Sequence, residues 1–180
     1  RGRNNIGGVF EAFARLHGRI PHKLVVGGRG CEQFRKEYGI PKDGWGRDVL
    51  FPGWMDQADL PAVYSAAELY LYPSKQEAFP IPITEAMACG TPIVTSRANG
   101  LEEIAGSAAL FVDPLDPNEI AAAVEWVIVD PKLRQRLVTA GFERAQSFSW
   151  ESCARQMLAI LQEVNRGRGA NRLPAQDRAS

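Results

Sequence analysis

Cysteine is scarce in this chain, and the three present stand apart. Cys31, Cys89 and Cys153 are odd in number, and no Cys-x-x-Cys pair occurs. That excludes a zinc or disulfide framework and fits reduced, buried thiols of a cytoplasmic protein. Histidine is scarcer still. His17 and His22 flank one helix-to-strand turn, where a solvated or satisfied imidazole is the expected state. Net charge is absent, with Lys+Arg and Asp+Glu both 21. A general nucleic-acid binder needs a clustered basic surface, and Arg166, Arg168 and Arg172 are too short a cluster to supply one. No apolar run approaches the roughly 18 residues of a membrane-spanning helix. No Asp-x-Asp pair occurs, so no metal site is expected. The Gly-x-Gly-x-x-Gly fingerprint is missing too, as is an acid after the second strand, which argues against a nicotinamide-dependent dehydrogenase.

What is present is enough for one substantial core: 180 residues, 45% of them hydrophobic,. The period alternates between helix and strand. Asn5 to Leu16 reads as a helix, with Val9, Phe13 and Leu16 on one face. Lys23–Val26 is a short strand that runs into Gly27-Gly28-Arg29-Gly30. Cys31 to Tyr38 reads as a helix stopped by Gly39 and Pro41. Asp48–Phe51 is a strand that runs into Pro52-Gly53-Trp54-Met55. Asp59 is placed to cap a helix carrying Leu60, Val63 and Tyr64. Strand Leu69–Tyr72 opens a long loop, and a helix, strand Ile93–Thr95, a short helix at Leu101–Ala105 and strand Leu110–Val112 follow.

From there the pattern is helical only. Asp116-Pro117 and Asp130-Pro131 each start a helix with proline in the favoured first position. Ser149 caps a third, with Cys153, Met157, Ile160, Leu161 and Val164 in register. The pattern predicts an α/β fold: a Rossmann-like, doubly wound parallel sheet closed by C-terminal helices. The domain is expected over residues 1–165, with 166–180 a frayed, Arg/Gly/Ala-rich tail. A fold of this type places a strand before its first helix. Here Arg1-Gly2-Arg3-Asn4-Asn5 comes directly before that helix, so the first strand is expected from outside this sequence, as part of a longer protein.

The stretch from Ser74 to Pro92 carries the most chemistry. Glu77 lies in the loop after a strand, and Glu85, seven intervening residues later, is expected in the first turn of the next helix. Two carboxylates and a helix N-terminus thus meet at the carboxyl edge of a parallel sheet, where open α/β folds bind ligands. Such an N-terminus offers backbone donors and a favourable dipole to a phosphate. Amides of Phe79, Ile81 and Ile83 are the donors expected there, since Pro80 has none. Ala78 must avoid a positive φ. The plain readings stay open beside these: Glu77 as a solvated loop acid, and Glu85 as an acid that favours the helix dipole. Gly27–Gly30 is either a tight turn or a close backbone approach to a nucleotide, with Gly28 at its centre. Trp54 and Met55 are either core or base-pocket wall.

The run Pro73-Ser74…Glu77-Ala78-Phe79…Glu85-Ala86-Met87-Ala88-Cys89-Gly90-Thr91-Pro92 resembles the donor-site signature of family 4 retaining glycosyltransferases, the group 1 enzymes of GT-B architecture. Gly53-Trp54-Met55, Asn99-Gly100-Leu101-Glu102-Glu103-Ile104, Asp113-Pro114-Leu115-Asp116-Pro117 and Phe148-Ser149-Trp150 resemble further family segments in order and spacing. The resemblance covers about residues 3 to 164 and is to the C-terminal, nucleotide-sugar-binding half.

It implies a hexosyltransferase-type enzyme whose N-terminal, acceptor-binding domain lies elsewhere, so the isolated chain is expected to be inactive. Its donor would be a UDP-, GDP- or ADP-sugar used without a metal or other cofactor. The full-length protein would associate peripherally with a membrane. By the same resemblance Glu77 contacts the donor sugar and Glu85 the ribose, while Phe79, Pro80 and Ile81 line the donor site. Arg3 serves the diphosphate, with Lys75 able to share that load. Asn4 stands where the family usually has a phosphate-binding lysine, and Ala78 and Pro80 replace two usual glycines. Asn4, Ala78 and the acceptor half lying elsewhere favour, as the alternative, a non-catalytic nucleotide-sugar-binding or regulatory module of the same fold.

Overall fold

The computed structural model describes residues 4–98 and 100–170. They form two compact units, the first ending at Gln146 and the second beginning at Ser147. The first unit alternates helix and strand in the expected order: α1 (Ile6–Leu16), β1 (Leu24–Gly27), α2 (Phe34–Glu37), β2 (Val49–Gly53), α3 (Leu60–Ala66), β3 (Tyr70–Tyr72), α4 (Ile81–Ala88), β4 (Ile93–Ser96), α5 (Leu101–Ala105), β5 (Ala109–Val112), α6 (Pro117–Val129) and α7 (Pro131–Ala145). The second unit is the helix α8 (Trp150–Ala170). Its first turn is tied by Ser149 Oγ, which accepts from the Ser152 amide at 3.1 Å. Met157, Ile160, Leu161 and Val164 keep the expected helical spacing and are exposed.

All strand pairs are parallel, as the alternation predicts. β4 lies between β3 and β5, with Val94 opposite Leu71 and Leu110. All four β4 residues are buried, as befits a central strand covered on both faces. Two of the four carry hydroxyls, and both are satisfied: Thr95 Oγ1 donates to the Tyr72 carbonyl at 2.7 Å, and Ser96 Oγ donates to that of Ser74. Without those partners, two buried hydroxyls would destabilise the strand.

The five strands do not make one continuous sheet. β1 pairs with β2, β3 to β5 form a second sheet, and no ladder joins β1 to β3 among the described residues. The parallel α/β architecture holds, but its sheet is divided. Helix α1 spans the division: Ala12 and Leu16 pack with Ile120, Val124 and Val127 of α6 and with Val94 and Val112. Phe10 and Phe13, from the same helix, pack with Val26, Cys31, Ile40 and Val49. The facing edges of β1 and β3 border a cavity of about 560 Å³ lined by Leu24, Val25, Tyr70 and Leu71 among others. Val25 is 51% exposed there, unusual for a valine within a strand.

Three local expectations change. Cys31–Gln33 is a 3₁₀ turn that passes into one turn of α-helix, rather than a single helix through Tyr38. A further 3₁₀ turn occupies Gly44–Asp48. Asp59 precedes α3, but its side chain caps nothing. Asp116 and Asp130 do cap their helices: Asp116 Oδ1 accepts from the Asn118 amide at 2.8 Å, and Asp130 Oδ1 from Lys132 and Leu133 at 2.9 and 3.0 Å. Helix α8 continues through the first residues of the expected tail, and residues 171–180 lie outside those described.

Candidate functional site

The site is built on the loop after β3 and on the helix α4 that follows it. Glu77 is not a solvated loop acid. It is buried, 8% exposed, and its Oε1 accepts from the Tyr72 hydroxyl at 2.6 Å and from Ser74 Oγ at 3.2 Å. Tyr72 is the last residue of β3 and Ser74 lies two residues on, so the strand end itself supplies both donors. A buried carboxylate is tolerable only with such partners. The neighbouring wall is glycine-dependent. Gly100, at φ +79°, lies so close that a Cβ there would come within 2.4 Å of the Ala78 carbonyl oxygen. That glycine lets the segment after β4 press against the backbone of the Glu77 loop.

Glu85 sits on α4, four residues past its first residue Ile81, and therefore in the second turn rather than the first. The helix dipole contributes little at that depth. Its Oε2 accepts from the Tyr64 hydroxyl of α3 at 3.1 Å. Tyr64 meets Tyr70 edge-on with ring centroids 5.4 Å apart, and Tyr70 stacks on Tyr72 at 5.8 Å. Three tyrosines in contact thus connect the group that holds Glu85 with the group that holds Glu77. Burial, reinforced by the Glu85 charge, pushes the Tyr64 phenol well above its ordinary pKa. Burial does the same to Tyr70. Both hydroxyls therefore stay protonated, and Tyr64 stays a donor to Glu85.

The start of α4 departs from expectation. Pro80 is fully buried, and at φ −84°, ψ 82° it centres an inverse γ-turn,. The Ile81 amide donates to the Phe79 carbonyl at 3.1 Å, and the Ile83 amide to that of Pro80 at 3.0 Å. Pro82 has no N–H. The amides of Ile81 and Ile83, expected to face a phosphate, are therefore spent inside the turn. The paired prolines cause this: they fix φ and pull the chain into short-range bonds before the helix can begin. Ala78 avoids a positive φ, as its side chain requires; among described non-glycine residues only Asn5 has one.

The remaining candidates divide into two groups. Gly28 and Met55 line one cavity, together with Tyr64 and with Pro82 of α4. Gly28, at φ +124°, turns the chain after β1, and its amide donates to the Gly53 carbonyl at 2.9 Å. Trp54 is 64% exposed, with the Arg29 guanidinium 5.2 Å from its ring centroid. Phe79, Ile81, Lys75 and Asn4 are exposed, and none of them lines that cavity. Arg3 lies outside the described residues. Among the described residues, no group of three or more His, Cys, Asp and Glu side chains could hold a metal ion. No helix among them is long and apolar enough to cross a membrane.

Sequence reasoning missed the tyrosines as a set, and it missed Asn5. Asn5 is buried, left-handed at φ 54°, and its Nδ2 donates to the Pro114 carbonyl at 2.6 Å. That bond fixes the start of α1 beside the end of β5. Gly8 makes room for it, since a Cβ there would meet the Asn5 amide at 2.7 Å. The available signal was Leu69-Tyr70-Leu71-Tyr72 itself, a strand carrying polar tips on apolar bodies.

A parallel α/β unit of this kind matches one half of GT-B glycosyltransferase structures. Comparison with known proteins makes this specific. The family model described as glycosyl transferases group 1 matches residues 1–144. The chain belongs to that family. It is 35% identical over 162 residues to O-antigen chain mannosyltransferase B of Escherichia coli, covering 87% of this chain and 42% of the relative. Among solved structures, sucrose-phosphate synthase from Thermosynechococcus elongatus superposes with a TM-score of 0.81 at 32% identity, over 92% of this chain and 43% of that one. HepE of Anabaena, solved with UDP and glucose, shares the fold with a TM-score of 0.77 at 23% identity, over 89% and 45%. The chain thus spans about two fifths of the length of these relatives.

Proposed function

We propose that this chain is the donor-binding part of a retaining, family 4 hexosyltransferase that takes a nucleotide-sugar. The observation that carries this is the Glu77 carboxylate, buried at the strand end and held by Tyr72 and Ser74. A carboxylate buried and oriented this way suits hydrogen bonds to sugar hydroxyls, and it adds electrostatic support for a cationic transition state. Glu85, half-buried on the adjacent helix, takes the ribose hydroxyls, and Gly28 and Met55 face the base. The diphosphate leaving group gathers negative charge as the glycosidic bond breaks. With the Ile81 and Ile83 amides engaged, its stabilisation falls to Arg3 and Lys75, beside the uncharged Asn4. The donor's own phosphate accepts the proton of the incoming acceptor on the same face, which retains configuration without a covalent adduct.

The acceptor is bound by an N-terminal domain outside this sequence, so the chain alone turns nothing over. One further parallel strand of the same polypeptide enters the cavity between Val25 of β1 and Leu71 of β3 and joins the two sheets, leaving the mouth beyond the carboxyl ends of β1 and β2, where Gly28 and Met55 lie, to the base. The whole enzyme works in the cytoplasm, in peripheral contact with a membrane. Calorimetry of the protein joined to its N-terminal half, against UDP, GDP and ADP, tests the reading. Micromolar binding to one of them is expected, and Glu77→Ala and Glu85→Ala should each abolish most turnover. Absence of binding to all three would refute it. A non-catalytic module is the second reading, favoured by the committed amides before α4. It predicts nucleotide binding with no turnover by the joined protein.

A further inference from the structure

Tyr64 is fixed at both ends. Its carbonyl accepts from Thr91 Oγ1 at 2.7 Å, which ties α3 to the chain entering β4. Its hydroxyl donates to Glu85 Oε2 at 3.1 Å, and its ring is braced edge-on by Tyr70 at 88°. Its side also lines the cavity that holds Gly28 and Met55. Among the described residues, Tyr64 is the hydrogen-bond donor that Glu85 has. A glutamate on a helix otherwise rotates about three side-chain torsions, and ordering it on ligand binding carries an entropic cost.

We propose that Tyr64 is the positioning residue that makes the Glu85 site selective for ribonucleotides over deoxyribonucleotides. By taking Oε2, the tyrosine fixes the carboxylate and leaves Oε1 as an acceptor with no partner among the described residues. A vicinal diol such as the ribose 2′- and 3′-hydroxyls can donate to that oxygen, and a deoxyribose offers one donor fewer. A site built to accept a hydroxyl proton discriminates against the analogue lacking it, because its acceptor, half-buried here and covered by the ligand, is then left unpaired,. The inference rests on the assignment of Glu85 to the nucleotide ribose.

The test uses the protein joined to its N-terminal half and compares Kd values for the nucleoside diphosphate that binds tightest and for its 2′-deoxy counterpart. The native protein should prefer the ribonucleotide by about tenfold or more. Tyr64→Phe should shrink that preference at least about threefold while leaving affinity for the deoxynucleotide unchanged. Glu85→Gln should weaken the preference as well, and in its background Tyr64→Phe should have no further effect. Melting temperatures of the variants confirm that each is folded, and the Glu85→Gln arm keeps the comparison decisive if Tyr64→Phe is not. A preference unchanged in Tyr64→Phe, or an equal loss of affinity for both nucleotides, overturns the proposal while sparing the assignment of Glu85. No preference in the native protein overturns both, and no nucleotide binding at all overturns the donor-binding reading itself.

Discussion

At the scale of single residues, the account turns on how two carboxylates are held. Glu77 is buried against hydroxyls, so removing a donor leaves its charge under-solvated. Tyr72→Phe should destabilise the chain by roughly 1–3 kcal/mol, measured by denaturant titration, with an unchanged m-value. Gly100 is the other sensitive position. Its φ of +79° is unfavourable for any side chain, and a Cβ would collide with the Ala78 carbonyl oxygen. Gly100→Ala should cost at least about 1 kcal/mol and displace the Glu77 loop, seen as lost protection of its amides in hydrogen exchange. The glutamate spacing was legible from sequence because it lies within one short segment. Their tyrosine partners were not. Tyr64 and Glu85 are 21 positions apart, and an alternation pattern shows which face a side chain takes, not which hydroxyl it reaches. Asn5 was unreadable for a similar reason: its bond spans 109 positions.

At the scale of elements, both helices that announce themselves by Asp-Pro form their expected caps, as does α8 at Ser149. Asp116→Ala should cost about 1 kcal/mol, read from the unfolding midpoint. Asp130 offers a pH test. The Leu133 amide, with that of Lys132, holds its carboxyl below the ordinary 3.8. A lowered folded value means the charged cap stabilises α7 above the unfolded pKa, and the contribution is lost as pH falls through the folded value. The melting temperature should therefore drop below about pH 4, and less steeply in Asp130→Asn, whose amide oxygen caps without titrating. The elements that sequence misplaced are those without periodicity. The Gly44–Asp48 turn is too short for a hydrophobic period. The γ-turn at Pro80 arises where two prolines fix φ and offer no N–H, leaving the Ile81 and Ile83 amides to bond within the turn, a local geometry that a generic helix-start signal does not encode.

At the scale of the whole molecule, the division between β1 and β3 is the feature with the widest consequence. Parallel order and helix alternation were plain in the sequence, because strand and helix periods differ. Continuity was not, since the absence of a ladder between two strands is a tertiary fact. A strand in this cavity would pair with both neighbours and cover Val25. In a right-handed crossover its carboxyl end would lie beside the start of α1, which Asn5 holds near the end of β5. Adding five alternating valine and isoleucine residues ahead of Arg1 should raise the melting temperature by about 5 °C or more and slow amide exchange in β1 and β3. A proline in the middle of the added segment should cancel both effects. No change with either version would contradict a strand in that position.

The most direct test of the central claim is a crystal structure of the full-length protein with a nucleotide-sugar bound. The account predicts ribose hydroxyls on Glu85, sugar hydroxyls on Glu77, and the diphosphate between them within reach of Arg3 or Lys75. A donor bound in this unit with neither glutamate in contact, or bound elsewhere in the protein, would contradict it.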